Sequence, residues 1–253
     1  GGLGLVMREL LDAGLLHDEV TTILGPGLRR FCAEPFAENG GLEWRPVPEA
    51  SLDPEIIASV AQPFDAEGGL RLVKGNLGRA VVKISAVAEE YHSITAPARV
   101  FTSQEHFKQA FNNGELELDF VAVLANQGPA AIGMPELHKL TPYLGLLQNR
   151  GFKVALLTDG RISGASGKVL AAIQATPEAA RGGLIGKLRD GDTVTICART
   201  GELSVAADDI ERRDAGADER DAHSYGIGRE LFAAFRERAS SAEEGGSFFG
   251  GLQ

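Results

Sequence analysis

Apolar residues change their spacing along this chain, and each change predicts a different element. In residues 1–14, Leu3, Val6, Met7, Leu10 and Leu11 recur at helical spacing and Gly14 follows, which predicts a packed helix with a glycine stop. Residues 15–45 keep no period; Pro26, Pro35 and Asn39-Gly40-Gly41 mark turns. Residues 44–67 are rich in proline and acid and read as a connector, with one helical turn after Asp53-Pro54.

Short apolar runs then begin. Residues 70–73 and 79–84 read as strands around Lys74-Gly75-Asn76-Leu77-Gly78, and 99–101, 119–125 and 153–157 as further strands. Helical periods lie between them. Thr102 and Glu105 make a capping-box pattern ahead of Phe107, Ala110 and Phe111. Residues 135–150 set Leu137, Leu140, Leu144 and Leu147 on one face, with Gly151 as stop and a kink expected at Pro142. Residues 169–173 fit either a helix start or a second buried segment. Thr176 to Ala180 contains a proline-led helical start. Val194, Ile196 and Ala198 alternate with Thr193, Thr195 and Cys197, then Thr200-Gly201 turns into 203–205, a hairpin pattern. Residues 207–223 read as a charged, solvated segment, 227–239 as an amphipathic helix, and 240–253 as a loose Gly- and Ser-rich tail. Strands separated by helices predict an α/β domain over about 70–225, its sheet mixed and rolled towards a barrel.

Composition narrows the partners. A net charge of -10 over 253 residues argues against nucleic-acid or anionic-membrane binding. It leaves room for an anionic small substrate in a local positive pocket. Cys32 and Cys197 form no CxxC pair, so no zinc site or disulfide framework is expected, and a reducing, cytoplasmic setting is. No apolar run approaches a membrane span, and no signal peptide is legible. A chain that starts at Gly1 rather than Met reads as processed or as a fragment.

Three stretches carry candidate chemistry. Thr158-Asp159-Gly160-Arg161-Ile162-Ser163-Gly164-Ala165-Ser166-Gly167-Lys168 follows a buried strand. Its glycines and serines permit close approach to a ligand, and its two cations could balance an anion; a plain tight turn is the alternative. Neither the phosphate-loop nor the nucleophile-elbow spacing is present. In Gly133-Met134-Pro135-Glu136, Glu136 falls in the expected first helical turn, either complementing the helix dipole or serving as a ligand for a hard cation such as Mg²⁺. Lys74–Gly78, with Arg79 and Lys83, is a turn with solvated charges or a ligand loop. The histidines are scattered, and both cysteines read as structural.

These stretches, with Thr176-Pro177-Glu178-Ala179, Gly182-Gly183-Leu184-Ile185-Gly186 and Asp190-Gly191-Asp192, resemble in order and spacing the dihydroxyacid dehydratase and phosphogluconate dehydratase family. The wording around 80–93, 167–173 and 228–246 is most similar to its 6-phosphogluconate branch. Gln174 stands where relatives often show His, and Cys197 where they often show Asp. The family is about twice this length. The resemblance therefore implies the C-terminal portion: residues 1–45 as the helical tail of a missing α/β domain, 46–69 as connector, 70–225 as a swivelling β/α domain with a barrel-like sheet, and 226–253 as a last helix and tail. It implies elimination of water from 6-phosphogluconate, a step of the Entner–Doudoroff pathway. An iron–sulfur cluster, its ligands in the missing domain, acts on the leaving hydroxyl, and Mg²⁺ holds the substrate carboxylate. It implies Ser163 as the base that takes the C2 proton and Glu136 as a metal ligand. Arg161, Ser166, Lys74 and Asn76 become substrate-shell residues, and the full-length enzyme a homodimer. Another sugar acid or a branched dihydroxyacid as substrate stays open, as does a chain that is inactive alone and serves as a binding or assembly module.

Overall fold

The computed structural model describes residues 2–162, 167–216, 225–226 and 228–249. They form two compact units, Gly1–Gly68 and Gly69–Gln253.

In the first unit, α1 (Gly2–Asp12) buries Leu5 and Leu11, while Leu3 points to solvent. Short strands β1 (Thr21–Thr22) and β2 (Gly25–Pro26) pair, as do β3 (Ala33–Glu38) and β4 (Gly41–Pro46). Pro26 and Pro35, expected in turns, thus lie in strands; a two-stranded ladder has outer edges that need no N–H. Asn39 and Gly40, with φ of 50° and 78°, make the hairpin turn between β3 and β4. The following segment folds back on α1: Arg8 Nη1 donates to Pro48 O at 2.7 Å and Nη2 to Glu49 O at 2.8 Å. The expected turn after Asp53 is present, with the N–H groups of Ile56 and Ile57 bonded to Asp53 O.

The second unit is a closed eight-stranded mixed barrel. Its strands are β5 (Leu70–Gly75), β6 (Gly78–Lys83), β7 (Ser93–Val100), β8 (Phe120–Leu124), β9 (Val154–Thr158), β10 (Leu170–Thr176), β11 (Thr193–Cys197) and β12 (Glu202–Ala206). The order around the barrel is β10-β6-β5-β12-β11-β7-β8-β9, closing onto β10. β7, β8, β9 and β10 run parallel, as do β5 and β12, while the β5–β6 and β11–β12 hairpins and the β6–β10 and β7–β11 pairs are antiparallel. The expected mixed, barrel-like α/β fold is what forms. Of residues 169–173, ambiguous by period, 170–173 enter β10, because pairing with β9 and β6 satisfies the strand's backbone on both sides.

β8 and β9 are buried along their whole length because both faces are covered. Val121, Val123, Ala155 and Leu157 point into the barrel, while Phe120, Ala122, Val154 and Leu156 pack outward with α2 (Gln104–Asn112) and α4 (Leu140–Asn149). The N-cap of α2 is Ser103, not Thr102: its Oγ accepts the His106 N–H at 3.1 Å. α4 begins at Leu140, five residues later than its leucine period suggests. Gly133 and Met134, with φ of 76° and 58°, are left-handed and end the short helix α3 (Pro129–Ile132) instead. Pro142 therefore sits in the first turn of α4, where its missing N–H is not required, and no kink arises from it. The last helix is shorter than its pattern: α5 covers only Ala233–Arg238. The part of the expected loose tail that is described, 240–249, is folded. Ser241 and Glu244 form a capping box, and the Phe248 ring meets Phe235 edge-on at 4.7 Å.

Candidate active site at one end of the barrel

The C-terminal ends of parallel strands are where backbone groups leave the ladder and become free to act. Here β8, β9 and β10 end together, and two buried carboxylates collect the loops that follow. Asp159, fully buried, accepts the N–H of Gln127 at 2.8 Å on Oδ1, and those of Ala179 at 2.9 Å and Asn126 at 3.1 Å on Oδ2. Glu178, also buried, accepts the Ala130 N–H at 3.1 Å and the Ala131 N–H at 3.3 Å, at the start of α3. Burial pushes both carboxyl groups above the usual range, against the lowering effect of these N–H donors; the charge of Asp159 pushes Glu178 further up. Thr158 Oγ1 donates to Leu124 O at 2.6 Å and accepts the Gly160 N–H at 3.0 Å, tying β9 to β8 as both strands end. Gly160 lies so close to the β8 loop that a Cβ there would stand 2.6 Å from Gln127 Cβ.

From this base the chain brings two of the candidate residues next to each other. Glu136 and Arg161 form a parallel backbone bridge, and the Leu137 N–H donates to Arg161 O at 3.0 Å. Arg161 Nε donates to Met134 O at 2.9 Å, which fixes the guanidinium beside the Gly133–Met134 turn. Glu136 is extended, not in a first helical turn, so a helix dipole does not account for it. Its carboxylate is half-buried and has no hydrogen bond or ion pair among the described residues. Ser163 and Ser166 lie outside the described residues. Gln174, left-handed at φ 57°, donates its N–H to Gly160 O at 2.8 Å and so braces the same loop.

The 74–78 loop comes to this end too: a Cβ on Gly78 would stand 2.2 Å from Thr176 O. Its side chains are engaged differently. Asn76 clamps the Val205 peptide, donating to Val205 O at 2.8 Å and accepting its N–H at 2.9 Å, which joins the β5–β6 turn to β12. Lys74 is exposed on β5.

Asp159 and Glu178 are the members that sequence reasoning passed over. Their signal was faint: an Asp-Gly directly after a fully apolar strand, and a Glu directly after a proline. Cys197, on a strand face that its alternation marks as polar, is buried opposite Ser93 of β7. Burial pushes its thiol up, but the Ser93 and Thr200 hydroxyls and the N–H groups of Thr200 and Arg199 outweigh this and bring it down to about 7.

Among the described residues no three His, Cys, Asp or Glu side chains converge. Two cysteines, Cys32 and Cys197, are too few thiolates for an iron–sulfur cluster, so these residues do not fit one. Glu136 fits Mg²⁺ as a single carboxylate ligand, since that ion keeps waters and substrate oxygens for the rest of its octahedron. No helix among the described residues is long and apolar enough to cross a membrane.

The chain belongs to the dihydroxy-acid/6-phosphogluconate dehydratases, whose C-terminal domain model matches residues 55–246. Within it, the chain is 57% identical over 251 residues to phosphogluconate dehydratase of Pseudomonas aeruginosa, covering 98% of this chain and 41% of that protein. It is 53% identical over 247 residues to phosphogluconate dehydratase of Escherichia coli K12, covering 97% and 41%. The likeness to dihydroxy-acid dehydratase of Sulfurisphaera tokodaii is lower, 38% over 208 residues, covering 81% and 34%. This chain spans about two fifths of the length of the phosphogluconate dehydratases it matches.

Proposed function

We propose that this chain is the C-terminal portion of a hydro-lyase that converts 6-phosphogluconate to 2-dehydro-3-deoxy-6-phosphogluconate, the dehydration of the Entner–Doudoroff pathway. The observation that carries the reading is the 57% identity over nearly the whole chain to a phosphogluconate dehydratase, against 38% to a dihydroxy-acid dehydratase. In the reaction the C2–H and C3–O bonds break, a C2–C3 double bond forms, water leaves, and the enol tautomerises to the 2-keto acid. Ser163 takes the C2 proton as general base. Arg161, held beside Glu136, pairs with the anionic substrate, and Ser166 and Lys74 complete its shell. Asn76 acts on the shell through the turn it holds against β12.

Glu136 is the ligand this chain would offer to Mg²⁺, whose charge would favour both substrate carboxylate binding and the loss of a proton from a nearby serine. An iron–sulfur cluster, if the full-length protein uses one, takes its ligands from outside this chain. The full-length protein is read as a cytoplasmic homodimer.

The test is an assay of 2-keto acid release from 6-phosphogluconate by the full-length protein, reconstituted with iron and Mg²⁺. Ser163→Ala is expected to lower kcat by at least about 100-fold, as loss of a positioned general base does. Glu136→Gln is expected to raise the Mg²⁺ concentration needed for half-maximal rate. Full activity of the Ser163→Ala protein would remove the base assignment, and an unchanged Mg²⁺ requirement would remove the ligand assignment.

A further inference from the structure

A cleft of about 500 Å³ opens beside the site, between the turn that follows α3 and the C-terminal segment around α5. One wall is Gly133 and Met134, the same turn whose Met134 carbonyl holds Arg161 and which leads in two residues to Glu136. The opposite wall carries Arg229 and Arg236, with Phe232, Phe235 and Phe248 between and behind them. Among the described residues no aspartate or glutamate lines the cleft, and neither arginine pairs with a carboxylate; Glu243 pairs with Arg79, Glu244 sits in its capping box, and Glu230 accepts the Gly226 N–H. Arg236 Nη1 donates to Arg229 O at 3.1 Å, which holds one guanidinium by the backbone of the other arginine.

In a chain of net charge -10, two uncompensated guanidiniums facing one cleft are a local attractor for an anion. Guanidinium is the side chain suited to a phosphate, which it meets with paired hydrogen bonds. We infer that this cleft is the phosphate subsite, where Arg229 and Arg236 grip the phosphate monoester of the substrate. The inference rests on the dehydratase reading and extends it. A sugar acid phosphate carries its carboxylate at one end and its phosphate at the other. The Gly133–Met134 turn lines the cleft and its Met134 carbonyl also holds Arg161, so the cleft adjoins the residues proposed for the carboxylate end. The apolar wall faces the carbon chain.

The test compares 6-phosphogluconate with gluconate in the full-length protein, for the wild type, Arg229→Gln, Arg236→Gln and the double variant. The KM for 6-phosphogluconate is expected to rise about tenfold or more per arginine, the usual effect of losing a charge-assisted contact. The kcat/KM for gluconate should stay within about twofold. Arg229→Lys and Arg236→Lys, which keep the charge but not the fork, should fall between. Equal losses on both substrates, or an unchanged KM for 6-phosphogluconate, overturn the subsite. Calorimetric titration with inorganic phosphate separates the two readings. If the wild type dehydrates neither substrate yet binds phosphate in a manner that both arginines control, the dehydratase reading falls and the subsite stands. Phosphate binding indifferent to both arginines overturns the subsite.

Discussion

At Asp159 three loops meet on one carboxylate. Its acceptors are matched to backbone donors on Asn126, Gln127 and Ala179, so the side chain is a knot of the site rather than a reactive group. An amide in its place can keep two of those bonds but sets an NH₂ against the third N–H. Asp159→Asn is therefore expected to cost about 1–3 kcal/mol, the usual effect of one buried unpaired donor. The pH dependence follows from the raised carboxyl. A folded pKa above the unfolded value means the native state binds its proton more tightly. Its contribution to stability is then complete below the unfolded carboxylate range, near about 4, and is lost as pH rises through the folded value. The gap between wild type and Asp159→Asn in urea unfolding should thus narrow as pH rises. A gap that widens would show that the N–H donors outweigh burial. Sequence alone could mark Asp159 as part of a turn, but its three donors come from 20 to 33 residues away. Glu136 is the converse case. Sequence singled it out, yet only the fold separates it from a helix terminus and leaves its carboxylate without a partner among the described residues.

At the scale of elements, periods were legible wherever one face was buried and misleading where an apolar residue reached the core by another route. Leu137 shares the core with Leu140, Leu144 and Leu147, but does so from an extended segment paired to Arg161, so the period ran past the helix. Hairpins β5–β6 and β11–β12 were readable because their turns are local. The β5–β6 turn also shows what its glycine is for. Gly78 has φ +96°, and a Cβ there would meet the Thr176 carbonyl. Gly78→Ala is expected to destabilise the protein by about 1–3 kcal/mol from backbone strain alone, and more if β10 must shift. A chemical denaturation midpoint equal to wild type would show that β6 and β10 can separate there without cost. Asn76 belongs to this scale too. Its motif position suggested a ligand contact, while its bonds to Val205 make it a strand clamp, a pairing 129 residues apart that no spacing rule reaches.

At the scale of the molecule, the chain is two units and about two fifths of the length of the phosphogluconate dehydratases it matches. Its described residues offer one free carboxylate at the strand ends and no converging set of metal-binding side chains. The 253-residue chain by itself is expected to release no 2-keto acid from 6-phosphogluconate after reconstitution with iron and Mg²⁺, while the full-length protein does. Turnover by the chain alone would mean that the residues here suffice.

The sequence by itself determined what depends on neighbours along the chain. It specified the apolar strands, the two hairpins, the acidic balance, and a set of motifs distinctive enough to point to a family. The tertiary structure decided what depends on residues far apart. It closed eight strands into a barrel, brought the ends of β8, β9 and β10 together over Asp159 and Glu178, and took Glu136 out of a helix to stand beside Arg161. It also placed two arginines of the C-terminal segment across a cleft from the same turn. The physical reason is the same throughout: a period reports which face of an element is buried, whereas a buried carboxylate or a paired backbone edge is satisfied only by partners that folding delivers.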